Sequence, residues 1–220
     1  MRCLSWCFAV CFAVIAVPVL AATPPLGKLE GTVTPTAYRL DLTVQPEQPR
    51  FRGHVEIDVQ VKGGETSLFL HGRALHVTKA TITQAGNGKA LSARYRELEA
   101  TTQGVAELAW DRALEAGTAT LTFDYDVAFG TGGAGLFHLK QGEHWYAWTQ
   151  LEAIDARALF PCFDEPRFKT PFTVRVAAAA GQVVVSNGAQ QSEEPADKLV
   201  RHTFEPTAPL PCKARATISA

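Results

Sequence analysis

Ala119-Thr120-Leu121-Thr122-Phe123-Asp124-Tyr125-Asp126-Val127 alternates apolar and polar residues along its length. Successive side chains of an extended backbone point to opposite faces, so the odd positions of this run face a core and the even positions face water. The same period returns in Tyr38-Arg39-Leu40-Asp41-Leu42-Thr43-Val44, where even positions are apolar, and in Val55-Glu56-Ile57-Asp58-Val59-Gln60-Val61, where odd positions are. Shorter strand candidates are Thr66 to His71, Val77 to Gln84, Val105 to Trp110, His144 to Trp148, Phe172 to Val176 and Val183 to Ser186. Turn signals fall between them at Gly63-Gly64, Gly86-Asn87-Gly88, Glu115-Ala116-Gly117 and Asn187-Gly188. No segment sustains a helical period with caps. Many short strands joined by regular turns predict an all-β fold, an antiparallel multi-strand sandwich or saddle-like domain.

The chain has 220 residues, of which 46% are hydrophobic and 20% charged, a globular composition. The net charge of -1 and the lack of a basic run give no electrostatic draw toward nucleic acid or an anionic membrane surface, so no nucleic-acid partner is expected. The start of the chain stands apart. Arg2 is the only charge before Lys28, Cys3 to Leu20 is almost wholly apolar, and Val19-Leu20-Ala21 supplies small residues for cleavage. This pattern predicts a signal peptide over residues 1–21, an exported chain that is periplasmic or secreted, and no stable membrane anchor after cleavage. Residues 22–35 then read as a linker, 36–211 as one β domain and 212–220 as a divergent tail. Residues 189–198 read as a hairpin tip.

The chemistry-bearing residues are sparse. Phe129-Gly-Thr-Gly-Gly-Ala-Gly135 has neither the following helix nor the Gly-Lys-Ser/Thr ending of a phosphate loop, so its glycines read as turn residues. The histidines His54, His71, His76, His138, His144 and His202 form no His-Glu-x-x-His helix, and no Gly-x-Ser-x-Gly nucleophile motif is present. Cys3, Cys7 and Cys11 leave with the signal peptide. Cys162 and Cys212 remain; they are too few for a structural zinc site. A single bridge between them is open in an oxidising compartment, and a free, buried Cys162 is the preferred reading.

One stretch says more. It runs Trp145-Tyr-Ala-Trp-Thr-Gln-Leu-Glu-Ala-Ile-Asp-Ala-Arg-Ala-Leu-Phe-Pro-Cys-Phe-Asp-Glu-Pro-Arg-Phe-Lys-Thr-Pro-Phe172, with Val183-Val-Val-Ser-Asn-Gly188 shortly after. It resembles the N-terminal domain of the M1 zinc aminopeptidases, whose members carry Thr-Gln-x-Glu, Asp-Ala-Arg, Phe-Pro-Cys-x-Asp-Glu-Pro and a Ser-Asn strand end in this order. Tyr38-Arg-Leu-Asp-Leu42 and Phe51-Arg-Gly-His-Val-Glu-Ile57 resemble the family's opening hairpin, so the likeness runs from about Ala37 to Phe204.

The resemblance implies that Gln150 and Glu152 bind the free α-amino group of a peptide substrate. Residues i and i+2 of an extended segment share a side. An amide oxygen and a carboxylate both accept from an ammonium, which only donates, and such charge-assisted bonds are strong. Asp155, Arg157, Asp164 and Glu165 read as a structural ion-pair cluster, with Arg157 bridging a carboxylate. The family's zinc site and its Gly-x-Met-Glu-Asn strand are absent: Met1 is the only methionine. The resemblance therefore implies a domain of an exported zinc aminopeptidase that is inactive alone, with no cofactor in this chain and zinc in the full-length enzyme. Its partners would be peptide N-termini and the missing catalytic domain. Two other readings stay open: a non-catalytic exported β module that binds peptides or a partner protein, and a remnant of a truncated gene. Past Pro211 no alternation is legible, and a lost closing strand is expected there.

Overall fold

The computed structural model describes residue 25, residues 27–29, 31–86, 88–98 and 103–212, and the strand backbone of 216–219. The expected signal peptide lies outside the described residues.

The long alternating runs become the longest strands: β1 (Val33–Thr43), β2 (Arg50–Val61) and β7 (Gly117–Ala128). Around them lie β3 (Ser67–His71), β4 (His76–Gln84), β5 (Leu91–Glu97), β6 (Val105–Trp110), β8 (Gly135–Gln141) and β9 (His144–Gln150). A short 3-10 turn, Ala156–Ala158, precedes β10 (Phe172–Ala178), β11 (Val183–Ser186), β12 (Gln190–Ala196), β13 (Leu199–Phe204) and β14 (Ala216–Ser219). Ten strands form one sheet in the order β12-β13-β10-β1-β2-β7-β4-β5-β6-β3, and four form a second in the order β11-β14-β9-β8. Apart from the 3-10 turn, the regular structure of the described residues is all-β, as the period predicts. Among the described residues no helix is long and apolar enough to cross a membrane.

Register explains the core. Leu40 sits opposite Val55, Val55 opposite Phe123, and Ile57 opposite Leu121, so one face of β1, β2 and β7 is a continuous apolar surface. All of these side chains are buried. A register shift between Pro35 and Ala37 lets Val33 and Pro35 share the buried face with Tyr38 and Leu40, because an extra residue resets the alternation. Gly53 faces Tyr125 across the β2–β7 pair; a Cβ there would stand 2.2 Å from the tyrosine ring, so the ring occupies the space a side chain would fill.

The opposite face of the large sheet is a charge ladder. Arg39 binds Asp58 through both terminal nitrogens, at 2.5 and 2.8 Å, and Glu56 through Nε at 2.6 Å. Arg175 pairs with Asp41, His54 Nδ1 lies 2.6 Å from Asp124, and His76 Nδ1 lies 2.6 Å from Asp126. Cross-strand neighbours of opposite sign support the register on the wet face as apolar pairs do on the dry one.

Four expectations change. The large sheet is mixed, because β1 and β10 run parallel with Leu40 opposite Val174. A parallel pair needs a long crossover, and everything from β2 to β9 lies between these two strands. The lead-in is not a free linker: β1 begins at Val33, and Leu29 is buried with its carbonyl accepting from Arg167 Nη2 at 2.7 Å. Residues 189–198 are mostly strand rather than tip, with β12 and β13 turning at Asp197, whose φ is 54°. The tail is not strandless either. Ala216–Ser219 forms β14, seated between β11 and β9.

Candidate functional site

The stretch from Thr149 to Glu165 holds every candidate residue, and the structure splits it in two. β9 carries the first part. Trp145, Ala147 and Thr149 alternate with Tyr146, Trp148 and Gln150; Ala147 and Thr149 are buried while Gln150 is exposed. β9 ends at Gln150, and the chain enters a turn closed by the Asp155 N–H donating to the Leu151 carbonyl at 3.0 Å. Leu151 is buried and Glu152 exposed, so Gln150 and Glu152 flank a buried anchor and both reach solvent. The extended i, i+2 argument holds only to the strand end, since Glu152 already belongs to the turn. The Glu152–Ala153 peptide is cis.

The second part is locked inside. Arg157 and Asp164 have side chains only 5% and 4% exposed. Arg157 Nε donates to Asp164 Oδ2 at 3.0 Å, Nη2 to the Asp164 carbonyl at 3.2 Å, and Nη1 to the Gln103 carbonyl. Arg157 thus grips one carboxylate oxygen and two carbonyls rather than a carboxylate fork. Asp155 pairs with Arg73, whose N–H donates to the Arg157 carbonyl at 2.8 Å. Glu165 accepts from the Leu29 N–H and from Arg167. All four residues have structural partners, in line with the ion-pair reading.

His71 closes this cluster and was not singled out from the sequence. It exchanges backbone hydrogen bonds with Cys162, and its Nδ1 accepts from the Asp164 N–H at 3.1 Å. Burial, and then the Arg157 charge, lower its pKa to about 3, so the ring stays neutral and free to accept. Only the spacing of a strand end against the Phe-Pro-Cys loop could have signalled this role, and that contact is long-range.

Beside Gln150 the small sheet presents a half-buried to exposed apolar face among the described residues. Trp148 lies opposite Phe137 and Tyr146 opposite Leu139 in the β8–β9 register, so these four share one side. Tyr146 and Trp148 stack with centroids 5.5 Å apart. On β11, Val183 and Val185 are 62% and 54% exposed while Val184 between them is buried. Ile154, in the turn after Glu152, is 45% exposed.

A depression of about 310 Å³ elsewhere, on the charged face of the large sheet, shares no residue with this region. Its lining groups Asp41, His54, Asp124 and Asp126 already pair with one another or with neighbouring arginines and His76. Among the described residues no three His, Cys, Asp or Glu side chains converge on a metal position. Four of the six histidines are engaged elsewhere, His54 and His76 with aspartates, His71 with the Asp164 amide and His138 with the Pro46 carbonyl, while both ring nitrogens of buried His202 lack a hydrogen-bond partner among the described residues. These residues do not fit a zinc site. The glycine-rich segment is a turn, with Gly133 and Gly135 at φ 74° and 69°, and a strand follows it rather than a helix.

Fold and site together define a β domain with a polar strand end set beside a partly exposed apolar sheet face. Residues 34–212 match the Peptidase M1 N-terminal domain, and the chain belongs to that family. Named relatives agree. Glutamyl aminopeptidase of Bos taurus is 26% identical over 192 residues, covering 83% of this chain and 20% of the relative. Endoplasmic reticulum aminopeptidase 1 of Mus musculus is 29% identical over 168 residues, covering 73% and 18%. Aminopeptidase 2 of Candida albicans is 26% identical over 208 residues, covering 83% and 20%. The chain therefore spans about a fifth of the length of the curated relatives it matches.

Proposed function

We propose that this chain is the substrate-amine-recognising domain of an exported M1 zinc aminopeptidase, and that these 220 residues do not hydrolyse peptides alone. The carrying observation is the exposed pair Gln150 and Glu152, held at the end of β9 by buried Thr149 and Leu151. An amide oxygen and a carboxylate in that position accept from an α-ammonium, which offers only donors. Anchoring the amine of a peptide fixes its first peptide bond at a set distance, which is what removal of one N-terminal residue requires. The apolar face of Phe137, Trp148, Val183 and Val185 beside the pair suits the body of a larger enzyme, since exposed patches of this kind mark interaction sites.

Zinc chemistry would come from the catalytic part of such an enzyme, where a metal polarises the carbonyl and activates water. The residues of this chain would hold the amine. Export rests on the apolar start of the sequence.

Two measurements test the proposal. The purified chain with zinc and an aminoacyl chromogenic substrate gives no chelator-sensitive turnover; turnover that co-purifies with the chain overturns the claim of inactivity. In a full-length relative, alanine at the position of Glu152 lowers kcat/KM by about 10- to 150-fold, the worth of a hydrogen bond to a charged group. An unchanged kcat/KM sinks the amine-anchor role.

A further inference from the structure

Two thiols that the proposed function does not use lie together in the core. Cys162 and Cys212 are 0% and 1% exposed and stand 50 positions apart in sequence. Cys162 sits in the Phe-Pro-Cys loop, pinned by its backbone exchange with His71. Cys212 is brought to it by the segment after β13. Leu210 and Thr170 exchange two backbone hydrogen bonds at 2.9 Å, and two residues later the Cys212 Sγ donates to the Phe163 carbonyl at 3.5 Å. Phe163 is the neighbour of Cys162 in sequence, so the Cys212 sulfur sits against the residue next to Cys162, and both cysteines are free, buried thiols in this structure. The Tyr38 hydroxyl, which accepts from the Phe163 N–H at 3.0 Å, roofs the same spot.

We propose that Cys162 and Cys212 are a disulfide site that locks the C-terminal segment to the Phe-Pro-Cys loop when the chain folds under oxidising conditions. Each thiol gives up one proton and one electron, and Sγ joins Sγ. The two electrons and two protons reduce a donor disulfide, that of a thiol–disulfide oxidoreductase or of oxidised glutathione, to two thiols. Burial raises the Cys162 pKa, so attack through its thiolate takes place while the tail is still undocked, and docking then seals the bond from reductants. The link closes a loop that contains β10 to β13, and β14 follows within a few residues of Cys212. A crosslink over so long a loop restricts the unfolded chain strongly. Because β14 pairs with β9, the bond also steadies the strand that ends at Gln150.

The test refolds the full chain from the reduced, denatured state in a glutathione redox buffer, in parallel with dithiothreitol, followed by maleimide trapping and peptide mapping. The expected result is a crosslinked peptide joining Cys162 to Cys212, distinct from any link of Cys3, Cys7 or Cys11. The thermal midpoint is expected about 5 to 15 °C above that of the dithiothreitol sample. Cys212→Ala is expected to abolish the crosslink and the response to reductant. The decision needs no variant. If Cys162 and Cys212 both take up maleimide in the glutathione buffer, or if the crosslinked chain melts no higher than the reduced one, the proposal is overturned. Neither outcome bears on the amine-binding role, which is read in kcat/KM.

Discussion

Glu152 and Asp164 are twelve positions apart in one stretch of sequence and lead opposite lives. Asp164 is buried against Arg157, with its amide on His71 and its carbonyl on the Arg157 fork. Glu152 stands in solvent at the end of a strand, over a buried leucine and beside a partly exposed apolar face. Both are carboxylates in motifs that resemble the same family. Residue type alone does not separate them. Burial does: the Asp164 carboxylate is enclosed with the Arg157 guanidinium, while Glu152 is exposed on a rigid support where a ligand can reach it.

The largest break in this comparison comes from Arg157→Met. It leaves Asp164 buried without its cation and costs about 3–5 kcal/mol, the usual penalty for removing one partner of a buried pair. Urea unfolding of the chain measures it, and a loss under about 1 kcal/mol would show that Arg157 and Asp164 do not hold the loop.

Acid is the next probe. His71 takes a proton near its ordinary pKa of 6.5 when unfolded, and only near 3 when folded. Between those values the unfolded state binds more protons, so stability falls as pH drops from about 6.5 toward 3. One group contributes up to about 1.4 kcal/mol per pH unit in that window. Unfolding midpoints at pH 7 and pH 5 should differ by an amount that His71→Asn reduces; equal slopes in both chains would remove His71 from the account.

A smaller effect belongs to the outer ladder. Hydrogen bonds from Arg39 hold the Glu56 and Asp58 carboxyls below their usual range. Their stabilisation is present above the unfolded carboxylate pKa and is lost as pH falls through the lower folded values. All three side chains are about a third exposed, which limits each pair to about 0.5–1 kcal/mol. Arg39→Met should shorten the acid limb below pH 4 and make stability less sensitive to salt; an unaltered limb refutes the assignment.

Most strands that bury one face were legible in the sequence, though β5, β8 and β13 were not picked out. β6 and β11 begin and end at the expected residues, and β1, β2 and β7 follow their alternation. β12 was not legible, since Gln190–Ala196 is an edge strand exposed on both faces, with no apolar period to read. β14 was missed because four residues are too few to show alternation, and its place comes from pairing on both sides. The parallel β1–β10 contact is a topological fact that no local pattern records. At the site, the resemblance picked out Gln150 and Glu152, and geometry alone would not have: the strand ends between them. His71 escaped notice because its partners, Cys162 and Asp164, reach it only through the fold.

The sharpest test of the contrast is Glu152→Gln, which keeps the shape of the side chain and removes its charge. In this chain it should shift stability by no more than about 0.5 kcal/mol, as an exposed substitution does. Placed at the matching position of a full-length relative, it should lower kcat/KM for free-amine substrates at least about tenfold. A stability loss like that of Arg157→Met, or an undiminished kcat/KM, would contradict the division between a carboxylate that holds the fold and one that holds the substrate.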